Sequence, residues 1–229
     1  MKEIDYYGPA DKAIALMNRD NLRAFGRLKM ANFDRVNIIQ EVLRLYREQA
    51  KKAKKRYREI GIEAYLLGLM MIDDGLRGSK AMRKAKKAIT DGWIEMLMSE
   101  TDFVTLYRFN SETERKAQRL IEALSIVGEI AKGREPWQNP KETRNTLIDQ
   151  ALRAWSKQLG QYAINVTDAA VIQALDDAGV GWVQWLTEHD NRVCTDCHQL
   201  DGRVFRINEV PAKPHWNCRC RLAPARNPE

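Results

Sequence analysis

The chain has 229 residues, is 44% hydrophobic and 30% charged, and carries thirteen glycines and seven prolines. That balance argues against wholesale disorder and fits one large domain, or one domain with a small appendage. The formal charge of +7 favours polyanions such as nucleic acid, and the scarcity of glycine and proline points to long helices.

Residues 1–33 are mixed in character and punctuated by Gly8-Pro9, with a short helix predicted over about 11–18. Residues 1–20 hold no apolar core, so no signal peptide is expected. From Val36 a stripe runs through Ile39, Leu43, Tyr46, Ala50, Ala53, Tyr57, Ile60, Ala64, Leu67 and Met71. Steps of three and four make this a heptad pattern, the mark of a long helix with one buried seam. Such a helix would be about 54 Å long. Gly61 and Gly68 weaken it locally, and Asp73-Asp74-Gly75 ends it. The longest apolar run, 64–72, is far short of the roughly 20 residues that span a bilayer. No membrane contact is therefore expected, and the host cytoplasm is the expected place of synthesis. Cysteines there are thiols or metal ligands rather than disulfides.

A helical insert follows, over about 79–138. It contains a short basic helix at 80–89, a break at Asp91-Gly92, and a helix over 112–130 with Ser111 as its N-cap. A second stripe, Ile148, Leu152, Trp155, Leu159, Tyr162, Val166 and Ala169, predicts a helix from about 140 to a stop at Gly179. Two long amphipathic helices bury each other most economically as an antiparallel pair. After Gly179 the character changes: Trp182, Val183, Trp185 and Leu186 predict one short strand, and Val204-Phe205-Arg206-Ile207 a second. The predicted fold is mainly α, and α+β overall. Residues 1–180 form a helical domain, with long helices at about 34–73 and 140–178 around the insert, and 181–229 form a small β/zinc-knuckle module.

All four cysteines lie within the 27 residues 194–220. Cys194-x2-Cys197 offers two thiolates from one tight loop, and His215-x2-Cys218, seventeen residues further on, completes a tetrahedral set of the kind that holds zinc. Cys220 is a fifth candidate for four places, since a Cys-x-Cys pair in extended chain points both thiols to one face. Every position is filled by protein, which makes a zinc ion here a structural staple rather than a catalyst. A module this small has little core of its own without one.

Two basic clusters stand out. Lys51, Lys52, Lys54, Lys55, Arg56 and Arg58 lie off the heptad seam, and Lys80, Arg83, Lys84, Lys86 and Lys87 follow in the insert. They read either as solvated helix surface or as contacts to DNA phosphates, which are independent of sequence and sensitive to salt. Few aromatics are interleaved, which speaks against stacking on single strands. Trp93, Trp137, Trp155, Trp182, Trp185 and Trp216 read as core or interface anchors, and the loop histidines His189 and His198 as structural or exposed rather than as general bases. There is no glycine-rich phosphate loop and no serine-nucleophile motif.

The stretch 182–224 resembles the C-terminal signature of phage Mu F-type minor head proteins. The matching positions are Trp185, Asp190, Arg192, Cys194, Cys197, Leu200-Asp201-Gly202, Phe205, Pro211, Pro214 and His215-Trp216-Asn217-Cys218-Arg219-Cys220. Trp216 departs from the pattern, where proline is usual. The resemblance implies a head-morphogenesis protein of a tailed phage, present in few copies inside the head near the portal and aiding head assembly and DNA packaging or ejection. Its implied partners are the portal protein, the inner head surface and double-stranded DNA bound without sequence preference. No enzymatic activity is expected. The rival readings are a zinc-stabilised DNA-binding protein and an HNH-like nuclease. Against the nuclease, the nine residues after Cys220, with Pro224 and Pro228 among them, leave no room for a metal-holding helix.

Overall fold

Helical periodicity without interruption sets most of the architecture. A computed structural model of the chain describes residues 5–31, 37–76, 78–99, 109–133, 140–188, 193–216 and 218–228. The first helix, α1 (Gly8–Met30), is longer than the sequence predicts. Its buried row Ala10, Ala13, Met17, Asn21, Ala24 and Leu28 keeps steps of three and four, but a polar residue, Asn21, interrupts the stripe in the sequence. Pro9 sits in the first turn, where its missing N–H is harmless.

Helix α2 (Ile38–Ile72) carries the predicted seam with a drift. Tyr46, Ala53, Tyr57, Ile60 and Ala64 are buried as expected, whereas Ile39 is 50% exposed and Val42 is buried in its stead. The buried row, Val42, Tyr46, Gln49, Ala53, Tyr57, Ile60, Ala64 and Gly68, repeats closer to the 3.6 of a straight helix than to the 3.5 of a heptad. Over several turns the two patterns separate by about 20° per heptad. Val36 lies outside the described residues, as does Trp137.

The insert consists of α3 (Ser79–Ala88), α4 (Asp91–Ser99) and α5 (Phe109–Gly133). The break at Asp91-Gly92 is the start of α4, and α5 begins two residues before the expected cap, so Ser111 sits inside its first turn. Helix α6 (Pro140–Asp176) is the most enclosed element. Every residue from 158 to 168 is buried, including Gln158, Gln161, Asn165, Thr167 and Asp168. A helix buried on all sides belongs in the middle of its neighbours rather than at one seam. It ends as predicted: Gly179, at φ +78°, lets Val180 N–H reach the Leu175 carbonyl (3.0 Å) and Gly179 N–H the Asp176 carbonyl (2.8 Å), the two bonds of a Schellman cap.

The remainder is β1 (Trp182–Leu186), α7 (Thr195–Leu200), β2 (Val204–Arg206), a 3-10 turn at Ile207–Glu209, and β3 (Arg221–Ala225). The sheet is antiparallel in the order β2-β1-β3, pairing Val183 with Phe205 and Trp185 with Leu222. The sequence did not announce β3, whose run is broken by Pro224. An edge strand tolerates a proline. The mainly α, α+β class is as expected.

Two features differ from expectation. The long helices α2 and α6 run parallel: Tyr57 meets Tyr162 at 6.4 Å, a side-chain carbon at Gly61 would lie 3.5 Å from Val166, and one at Gly68 would lie 2.7 Å from Ala174. Partners that rise in number together mean a common direction. The long connection through α3, α4 and α5 carries the chain back, and the economy of an antiparallel pair applies only to short links. The division of the chain also differs from a cut near 180. One unit comprises Met1–Ala13, Lys55–Leu106 and Gly160–Glu229, and the other Ile14–Lys54 and Tyr107–Leu159. The C-terminal module thus belongs to a unit that also contains the start of α1 and the later parts of α2 and α6.

Within the second unit the core is aromatic. Phe25 and Tyr46 meet edge to face at 5.7 Å, Tyr46 and Trp155 at 5.2 Å, and Phe109 lies 6.0 Å from Trp155. The indole N–H of Trp155 donates to Asn21 Oδ1 at 3.2 Å, which accounts for a buried asparagine in α1.

A candidate metal centre

The centre is built from two arms. The first is the start of α7. Cys194 is its N-cap, in extended backbone, and its Sγ accepts from Cys197 N–H at 3.4 Å. Capping places both thiols of the Cys-x-x-Cys pair at the helix N-terminus, a setting that favours thiolate. That bond holds the Cys194 thiol below its ordinary range. The second arm is formed by residues 213–216 and 218–220, which lead into β3. Between the arms, Gly202 takes φ +75° and Asp201 Oδ1 accepts from Thr187 N–H at 2.8 Å. The Leu-Asp-Gly motif is therefore a turn that fixes α7 against the end of β1.

The arms converge. The ligand atoms of Cys194, Cys197 and His215 lie within 4.8 Å of one another, as do those of Cys197, Cys218 and Cys220. Cys197 is common to both groups. Its Sγ is 3.5 Å from Cys218 Sγ and 3.3 Å from His215 Nε2. A disulfide needs about 2.05 Å, while two thiolates on one tetrahedral zinc, each at about 2.3 Å, stand roughly 3.8 Å apart. The spacing suits a shared ion. His215 Nδ1 is 2.9 Å from the Trp216 carbonyl, an acceptor that holds the proton on Nδ1 and leaves the Nε2 lone pair facing Cys197.

The thiols pull against one another. A hydrogen bond from Cys220 and the nearby Lys213 ammonium outweigh burial at Cys218 and bring it down to about 5. Burial raises Cys197 to about 12, and the bond to Cys218 with burial pushes Cys220 higher still. The Trp216 carbonyl, against the opposing effect of burial, raises His215. One thiolate among crowded thiols with little water is a site that a cation stabilises by releasing protons. The five predicted residues are thus brought together and can hold a metal ion.

Around this centre lies a polar cluster to which no spacing in the sequence points. Lys213 has a side chain only 9% exposed, and its Nζ lies 3.1 Å from Asp168 Oδ2 and 2.6 Å from the Tyr7 hydroxyl. It also donates to the carbonyls of Cys218 (3.4 Å) and Cys220. The Tyr7 hydroxyl is 2.9 Å from Asp168 Oδ1 and 2.8 Å from the Cys220 carbonyl, two acceptors for its one proton. Arg219 reaches Asp11 Oδ2 at 3.0 Å and lies 5.0 Å over the Tyr7 ring. A lysine in a basic chain, and tyrosines in a mixed leading segment, carry no spacing signal that could have found them.

The basic residues are mostly free to meet solvent. Lys51, Lys52 and Lys55 on α2, and Lys80, Arg83, Lys84, Lys86 and Lys87 on α3, are exposed, while Lys54, Arg56 and Arg58 are half-buried. Arg56 pairs with Glu59 at 2.8 Å and Arg58 with Asp91 at 3.5 Å. Of the tryptophans, Trp155 and Trp185 are core residues, one of the two roles expected of them, whereas Trp216 is 40% exposed. His198 is exposed on α7. His189, Asp190, Arg192 and Asn217 lie outside the described residues. Among the described residues, no helix is long and apolar enough to cross a membrane.

Residues 127–223 match the family model described as Phage Mu protein F like protein. Over that stretch the chain is similar to the Phage Mu F-like family. The match runs from late α5 through α6 and the sheet into β3, and it includes all five candidate ligands. It covers somewhat less than half of the chain and supports a phage head-related protein. No curated protein and no solved structure matches the chain.

Proposed function

We propose that this Mu F-like chain is a minor head protein of a tailed phage. It sits inside the head near the portal, is stapled by one structural zinc, and has no catalytic activity. The observation that carries the reading is the convergence of Cys194, Cys197, His215, Cys218 and Cys220 inside the family-matched segment. Five candidate protein donors for the four places of a tetrahedral ion leave none for substrate or water. The strand β3 directly after Cys220 supports the same reading, because an HNH-like site would need a helix there. The exposed lysines and arginines of α2 and α3 support weak, sequence-independent contact with packaged duplex DNA.

The test is made on assembled particles. Crosslinking should join the chain to the portal protein or the adjoining inner head surface, and DNA binding by the purified chain should weaken steeply with salt. Replacing Lys51, Lys52, Lys54, Lys55, Arg56 and Arg58 with glutamine should flatten that salt dependence. Particles in which the chain lies on the outer surface or tail, with no portal crosslinks, would overturn the placement. An unchanged salt slope would return the α2 cluster to plain solvated surface.

A further inference from the structure

We propose that Lys213 is a positioning residue for the Cys218–Cys220 arm, whose hold on the two cysteine carbonyls slows release of the bound metal. The inference rests on the zinc reading above.

A buried ammonium is costly unless its protons are all engaged. Lys213 offers three, and three acceptors take them, the Tyr7 hydroxyl and the carbonyls of Cys218 and Cys220, while Asp168 Oδ2 lies at ion-pair distance, 3.1 Å. An ion pair with Asp168 alone would need none of these three bonds. The two main-chain acceptors belong to candidate ligands in a segment that precedes β3 and whose described residues make no ladder bonds. Lys213 thus does for this arm what a neighbouring strand does for a sheet: it fixes the carbonyls, and with them the directions of the thiols. Its charge also suits the loaded site. Zinc with three thiolates and an imidazole carries a net −1, and with four thiolates −2, in a setting where Cys197, Cys218 and Cys220 are buried. Arg219, between the two cysteines, adds a second cation and a second grip on α1, through Asp11 and the Tyr7 ring. The metal arm is therefore tied to the first turns of α1, and those turns lie in the same unit as the arm.

The test is the rate at which zinc-loaded full-length protein gives up its metal to an excess of chromogenic chelator. Lys213→Met should release zinc about tenfold faster, the scale typical of residues behind the ligands. Tyr7→Phe, which removes only one hydroxyl, should give a smaller acceleration of the same sign. In loaded Lys213→Met, amide exchange over 7–13 should rise as well. Because the single variant leaves Asp168 buried and unpaired, the double variant Lys213→Met/Asp168→Asn serves as the control for folding. A role confined to charge pairing predicts the wild-type release rate in the double variant, and that result overturns the proposal; accelerated release in a folded double variant supports it. If the wild-type chain takes up no zinc at all, it is the zinc reading that fails, and this inference falls with it.

Discussion

Both units bury apolar side chains, but the polar groups they enclose differ in chemistry. In the unit formed by Ile14–Lys54 and Tyr107–Leu159, rings interlock around Trp155, and the buried polar atoms of Asn21 and Trp155 meet each other. In the other unit, thiols, an imidazole and a buried Lys213–Asp168–Tyr7 cluster converge near a three-stranded sheet too small to bury much apolar surface. All four cysteines belong to it. The difference teaches that dependence on metal should be local. A packed aromatic core is sustained by dispersion and burial at any metal concentration. A cluster of thiols beside a buried cation is sustained only when something balances its charge.

The largest expected effect comes from removing the donor common to both ligand groups. Cys197→Ser should lower bound zinc from about one equivalent to about none, measured by elemental analysis of protein purified without chelator. Structural zinc contributes on the order of 10 kcal/mol in small domains, so the loss should be felt in the sheet, in α7 and in the turns of α1 tied to the metal arm. Hydrogen exchange should rise over 181–228 and over 7–13, while 14–31 and 37–54 keep their protection. Equal loss of protection in both units would show that they fold as one cooperative body, and the comparison would collapse.

The reciprocal change is Trp155→Ala. It empties the position around which Tyr46 and Phe109 pack and leaves Asn21 Oδ1 without its donor. Truncating a buried tryptophan costs about 3–5 kcal/mol, to be read as a lower urea midpoint. Zinc content should stay at about one equivalent. A variant that loses its zinc along with its stability would contradict the independence of the two chemistries.

A third contrast sets one glycine from each unit side by side. Alanine is favoured over glycine inside a helix by about 1 kcal/mol. At Gly128 on α5 an added Cβ meets nothing within 4 Å, so Gly128→Ala should gain roughly that amount. At Gly68 the Cβ would stand 2.7 Å from Ala174 Cβ and 3.0 Å from the Val171 carbonyl oxygen. Neither neighbour is the tip of a flexible chain, so α2 and α6 must move apart. Overpacking of this kind costs about 1–3 kcal/mol, enough to reverse the sign. Thermal melting of the two variants decides it, and a stabilised Gly68→Ala would mean that the helices are not in close contact there.

Gly68 also marks the limit of what was legible in the sequence. The residue reads as a weak point in a helix, because a sequence displays propensity and hides the neighbour that makes a missing side chain useful. The same holds for α6. Its stripe located the helix, but Gln158, Gln161, Asn165 and Asp168, polar residues off that stripe, are buried as well, since the periodicity of one helix does not say how many others surround it. The parallel course of α2 and α6 was illegible for a related reason: direction is set by the length and path of the connection, not by either stripe. The metal centre was legible in its membership, because ligand spacing is a local property written into Cys194-x2-Cys197 and His215-x2-Cys218-x-Cys220. Its supports were not, because Tyr7, Asp168 and Lys213 come from distant parts of the chain and bear no mark apart from one another.

The smallest expected effect tests whether the aromatic unit also depends on charge. Glu112, in the first turn of α5, is buried, and it accepts from Arg115 Nε and Nη2 at 2.7 Å each and lies 3.3 Å from Lys116 Nζ. Burial alone would raise its pKa, but the hydrogen bonds and charges of Arg115 and Lys116 prevail and hold it below the usual glutamate range. A carboxylate whose folded pKa is depressed contributes stability that is present above its unfolded pKa and is lost as pH falls through the folded one. Glu112→Gln keeps the shape and removes the charge. It should therefore cost about 1 kcal/mol at pH near 7 and almost nothing once the pH drops well below the glutamate range. Acid also protonates thiolates and strips metal from the other unit, so both proteins are to be compared in chelator at each pH, where metal loss contributes equally. Urea midpoints that differ by the same amount at both ends of the range would assign the cost of Glu112→Gln to packing. The aromatic unit would then owe nothing measurable to this ion pair, and the contrast with the Lys213 cluster would be sharper still.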